Sequence, residues 1–71
     1  MSMTEKIRIL LVKRGNMSEA ELARRLQTSP QNFNKKMRRD NFAEEDLIEI
    51  AKILGCTYEA KFKMDDTGEY V

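Results

Sequence analysis

Two helix starts, standing close together, constrain this chain more than any other feature. Ser18-Glu19-Ala20-Glu21 spells the S-x-x-E capping box. In that device the Ser18 hydroxyl accepts from the Glu21 amide while the Glu21 carboxylate returns to the Ser18 amide. Met17 ahead of the cap and Leu22 behind it form the matching hydrophobic staple. Only eleven residues further on, Ser29-Pro30 places a second N-cap serine before a proline at the first helical position, where its missing N–H costs nothing. Between the two starts Leu22, Ala23 and Leu26 form one apolar stripe, and Ala23 lets another helix come close. The helix beginning at Pro30 runs to Arg39 and offers Phe33 and Met37 at i, i+4 as its only inner anchors. Gln31, Asn32, Asn34, Lys35 and Arg38 turn outward, so most of its surface must face something polar.

Two more helices flank this pair. Ile7, Leu10 and Leu11 give a helical stripe from about Thr4, taken as N-cap, to Arg14, with Gly15 as the stop. Leu47, Ile50, Ala51 and Leu54 mark a fourth helix from Ala43 or Glu44 to Leu54. Phe42 staples onto Leu47, the Glu44-Glu45-Asp46 run suits the helix dipole, and Gly55 ends the helix. Beyond Gly55 the period changes to two. Tyr58, Ala60, Phe62 and Met64 alternate with Glu59, Lys61 and Lys63, and Asp65-Asp66-Thr67-Gly68 signals a turn before Glu69-Tyr70-Val71. This predicts a half-buried strand or short hairpin whose aromatics pack on the helices, on a second copy, or on both. The expected fold is mainly α: a four-helix domain over residues 1–56 with a C-terminal β tail over 57–71.

Length and composition exclude most other classes. Seventy-one residues make one small domain, and 41% hydrophobic with 35% charged residues suits neither a disordered tail nor a membrane span. With one cysteine, Cys56, and no histidine, neither an intrachain disulfide nor a Cys/His zinc cluster can form. Cys56 reads as a small buried or half-buried apolar residue. Self-association is then the expected source of extra stability. No apolar run suffices for a signal peptide or membrane helix, and a lone thiol fits a reducing cytosol, so a cytoplasmic location is expected. Catalysis finds no support, for want of a phosphate loop or of a nucleophile with its base, and no cofactor, metal or small-molecule ligand is expected.

The net charge of +1 conceals an asymmetry. Residues 1–39 carry ten Lys/Arg against three Glu, a balance of +7, and residues 40–71 carry three Lys against nine Asp/Glu, a balance of −6. A basic half suggests a face for a polyanion. Two short helices joined by a few residues, the second polar outside and sparsely anchored, match helix-turn-helix DNA binding. The major groove admits one helix, whose amide and cationic side chains read base edges. Gln31, Asn32, Asn34, Lys35 and Arg38 are accordingly the candidate base contacts. Ser18, Arg24, Arg25, Ser29, Lys36, Arg39 and Asn41 are candidate phosphate contacts, adding affinity without sequence information.

The run from Met17 to Phe33, MSEAELARRLQTSPQNF, followed by Ile50-Ala51-Lys52-Ile53-Leu54-Gly55-Cys56, resembles the xenobiotic-response-element type of helix-turn-helix regulators, the family of phage Cro and repressor-like domains. The resemblance covers about residues 4–56. It implies a lambda-repressor-like fold in which Ala23 packs the two helices, Phe33 anchors the recognition helix, and the I-A-x-x-L-G ending closes the core. This chain departs from the family in three places. In the turn, Gln27 replaces the usual glycine and Thr28 the usual apolar residue after it, and Gln27 must accept a left-handed or distorted backbone. Glu19 replaces the glutamine that touches phosphate, and its carboxylate repels DNA unless it turns away. The strand pattern of 57–71 stands where a fifth helix is usual, and some members dimerise through such a β element.

The implied function is a sequence-specific double-stranded DNA-binding regulator, a repressor acting as a homodimer on a pseudo-palindromic operator, with Tyr58, Ala60, Phe62 and Met64 as dimer contacts. One alternative is a protein-interaction module, antitoxin-like or adaptor-like, on the same fold, favoured by Glu19 and the near-neutral net charge. Another keeps DNA binding but makes the tail a wing carrying Lys61 and Lys63.

Overall fold

The four apolar stripes become four helices in a computed structural model that describes residues 1–71: α1 Met3–Lys13, α2 Glu19–Arg25, α3 Pro30–Arg39 and α4 Glu44–Ile53. The protein is mainly helical. Ile7, Leu11, Leu22, Ala23, Phe33, Met37, Leu47, Ile50 and Leu54 form one buried cluster, so every helix contributes to a single core. Leu22 and Ala23 are fully buried, as the stripe of α2 requires. Met17, Leu26, Phe42 and Tyr58 pack half-buried around the cluster. No helix is long and apolar enough to cross a membrane.

Local caps set the boundaries, with two departures from the sequence reading. Ser2, not Thr4, caps α1: its hydroxyl accepts from the Glu5 amide at 3.2 Å. Thr4 is instead buried and acts across the fold. Its hydroxyl lies 2.7 Å from the Met37 carbonyl and 2.9 Å from Asp40 Oδ1, and its amide donates to Asp40 Oδ1 at 2.8 Å. As the second residue of α1, Thr4 stands past the cap position, and its hydroxyl reaches the C-terminal end of α3 instead. At α2 the Ser18 hydroxyl accepts from the Glu21 amide at 3.0 Å, as expected. The reciprocal half of the box is missing, and the two Glu21 oxygens turn to Arg24 and Arg25 instead.

Three helices end alike. Thr28 and Gln27 amides return to the Ala23 and Arg24 carbonyls, Asn41 and Asp40 to Lys36 and Met37, and Cys56 and Gly55 to Ala51 and Lys52. Each pair is a Schellman closure, which needs one left-handed residue. Gly55 supplies it freely, whereas Gln27 and Asp40 adopt φ of 60° and 52° with a side chain attached. Gln27 thus takes the left-handed conformation that its place in the turn demanded. Gln27→Gly is expected to stabilise the chain by about 0.5–1 kcal/mol, a rise of roughly 4–8 °C per kcal/mol in melting temperature. An unchanged or lower melting temperature would show that the Gln27 side chain compensates for its strain.

The tail departs furthest from expectation. No strand forms over 58–64; a single antiparallel bridge joins Lys63 to Tyr70. Phe62 and Val71 exchange two hydrogen bonds, the Met64 amide reaches the Glu69 carbonyl, and Asp65 to Gly68 turn the chain as predicted. Of the alternating residues only Tyr58 is half-buried. Ala60 and Met64 are exposed, and Phe62 is 82% exposed. The reason is that two short strands bury too little to hold a ladder in water. The pairing nevertheless sorts the side chains, because directly opposed residues share a face. Phe62, Met64 and Val71 lie on one face, while Lys61, Lys63 and Tyr70 lie on the other, where Lys61 Nζ sits 5.6 Å from the Tyr70 ring centroid. The radius of gyration, 13.8 Å, exceeds the roughly 11 Å of a compact chain this long, and the long dimension is 44 Å. The excess reflects a hairpin standing off the helices.

Candidate nucleic-acid interface

α3 divides sharply into a narrow buried line and a broad polar face. Phe33 and Met37 are its only buried residues, and the Phe33 ring tilts at 58° to Phe42 with centroids 6.4 Å apart. Ser29 caps it through the Asn32 amide at 3.1 Å, with Pro30 in the first turn. From those anchors, helical periodicity puts Lys35 at the middle of the outward face, with Gln31 and Arg38 to one side and Asn32 and Arg39 to the other. All five, with Asn34, are exposed. The hydrogen bonds and ion pairs of the chain leave these six side chains unengaged. The candidate base-contact residues therefore share one continuous, uncommitted surface.

A shallow groove on one flank of α3 is lined by Glu19, Ala20, Pro30, Gln31 and Asn34. Glu19 remains beside the outward face here and does not turn fully away; its Oε1 lies 3.6 Å from Arg8 Nε and is itself covered. On the other flank a cleft of about 390 Å³ runs beneath the α2–α3 turn to α4, with Leu26, Phe33, Phe42 and Ile50 as its apolar lining and Arg25, Lys36 and Asp46 among its polar residues.

The candidate phosphate contacts divide into two groups. Arg39, Asn41, Ser18 and Ser29 are exposed, and both serine hydroxyls keep a proton to donate after accepting their cap bonds. Arg24, Arg25 and Lys36 are exposed but already partnered. Arg24 Nη2 meets Glu21 Oε1, Arg25 Nε meets Glu21 Oε2 at 3.1 Å, and Lys36 Nζ meets Asp46 Oδ2 at 2.9 Å. The Arg24 and Arg25 hydrogen bonds hold the Glu21 carboxyl below the usual carboxylate range. The Lys36 ammonium, helped by the Ala43 amide, does the same for Asp46. Asp46 is thus more than one charge in an acidic first turn: it accepts from the Ala43 amide at 3.0 Å and bridges α4 to α3. Glu21 with Arg24 and Arg25 was open to sequence reasoning, since i, i+3 and i, i+4 spacing is the helical ion-pair signature. Nothing local announced Asp46 with Lys36, or Thr4 with Asp40.

At the C-terminal end of α3 the Asp40 carboxylate stands at the start of α1. The Thr4 amide, then its hydroxyl, hold it below the usual range. All three shifted groups therefore have folded pKa values below their unfolded ones. Their stabilisation is complete above the unfolded carboxylate range, near pH 4, and is lost as pH falls through the folded values. The melting temperature should stay level down to about pH 5 and then drop, and Asp40→Asn should flatten that acid limb. An acid limb of unchanged steepness in Asp40→Asn would remove Asp40 from the account. Set beside known proteins, the chain matches no family model, no curated protein and no solved structure.

Proposed function

We propose that the chain is a sequence-specific double-stranded DNA-binding regulator of the lambda-repressor-like helix-turn-helix kind, a cytoplasmic repressor working as a homodimer. One observation carries this: α3 is held by two buried side chains and presents Gln31, Asn32, Asn34, Lys35, Arg38 and Arg39 outward with no intrachain partner. Amides and cations left unengaged on one exposed helix face are the donors and acceptors that base edges require, and a groove about 12 Å wide takes one helix. Gln31 and Asn32 pair with adenine, Lys35 and Arg38 reach guanine or phosphate, and Arg39 lies toward the backbone. The apolar hairpin face of Phe62, Met64 and Val71 is exposed and unpartnered, and it suits closure against a second copy. A dimer places the two α3 helices at half-sites about 34–36 Å apart.

The test is anisotropy binding to random duplex at two salt concentrations, followed by selection of bound sites from a random DNA pool. Salt-dependent binding and a symmetric selected site are expected. Failure to bind any duplex at low ionic strength would instead favour a protein-interaction module on these helices, for which the carboxylate pairing of Arg24, Arg25 and Lys36 speaks.

A further inference from the structure

The cations around α2 and α3 are sorted by position. Those pointing straight out from α3, Lys35, Arg38 and Arg39, have no acidic partner, whereas Arg24, Arg25 and Lys36 on the flanks each have one. Glu21 uses both oxygens, one for each arginine, and Asp46 reaches Lys36 from a different helix. A phosphate contact adds affinity for any sequence, because its energy comes from counterions released by the nucleic acid. A cation already held by a carboxylate gains only the difference between two ion pairs, so its contribution to sequence-blind attachment shrinks. Contacts to base edges are untouched by this competition. Exposed ion pairs are individually weak, so they bias binding without blocking it. Glu21 and Asp46 stay ionised throughout the neutral range, which keeps the competition in force.

We propose that Glu21 and Asp46 are specificity-determining residues. By competing with phosphate for Arg24, Arg25 and Lys36 they suppress non-specific nucleic-acid binding and leave discrimination to the outward face of α3. This rests on the duplex-binding function proposed above. The test compares wild type, Glu21→Gln and Asp46→Asn by anisotropy against random duplex and against a duplex selected by the wild type, at about 50 and 200 mM salt. Glu21→Gln should tighten random-duplex binding on the order of tenfold and steepen the log affinity against log salt slope by one to two units, since each freed phosphate contact adds about 0.9. Asp46→Asn should steepen it by about one unit. The ratio of selected to random affinity should fall in both. Arg24→Ala should alter the slope far more in the Glu21→Gln background than in wild type. Both replacements keep a side-chain oxygen, and Glu21→Gln leaves the Ser18 cap intact; melting curves check the fold. Wild-type binding with both variants at wild-type slope and random affinity overturns the competition alone. Silence of all three proteins toward every duplex overturns DNA binding itself, and the competition with it.

Discussion

Phe33→Ala is expected to leave the chain largely unfolded at room temperature. Phe33 is 3% exposed, belongs to the shared core and is one of two side chains by which α3 is held. Truncating a buried phenylalanine costs about 3–5 kcal/mol through lost burial and the cavity left behind. A single core in a domain of this size supplies about the same amount. The loss cannot be absorbed elsewhere, because Cys56 is the only cysteine and no disulfide reinforces the fold. Far-ultraviolet circular dichroism with urea titration reads the result. A cooperative transition with most of the wild-type midpoint retained would mean that Met37 alone suffices to seat α3. Gln31→Ala is the natural control, being exposed on the same helix, and should melt with the wild type.

The second large effect concerns binding. Asn32→Ala and Gln31→Ala should each weaken a selected duplex by about 1–3 kcal/mol, roughly 5- to 150-fold, and relax preference at one base pair while the fold is unchanged. Arg39→Ala should weaken all duplexes alike and reduce the salt slope by about 0.9, the value of one phosphate contact. Lys36→Ala should alter that slope much less, because Asp46 already neutralises the ammonium at 2.9 Å. Selected-site affinity unchanged in both amide variants, with binding otherwise intact, would move the reading surface off α3. The contrast between Arg39 and Lys36 separates a cation that is merely nearby from one free to act.

The outline of the helices was legible in the residues because its causes are local. Ser18, Ser29 and Pro30 act within one turn, and apolar residues at helical spacing must find a core whichever neighbours supply it. The polar face of α3 was legible for the same reason: Phe33 and Met37 lie on one line, so the intervening residues have nowhere to point but out. The tail misled because period-two alternation states what a strand would bury if a partner existed, and one isolated hairpin provides none. Thr4 misled because a threonine near a helix start satisfies the capping pattern equally well when its hydroxyl serves another helix.

What the sequence alone determined, then, is that four helices form, where α2, α3 and α4 start, which apolar stripes supply the core and which face of α3 is left polar. Only the tertiary structure decided which charges on that surface are free. Lys36 and Asp46 are ten residues apart on different helices, and Thr4 and Asp40 are thirty-six apart. An ion pair or cap across that separation depends on how helices are set against one another. The core's shape decides that arrangement, and no spacing along the chain encodes it.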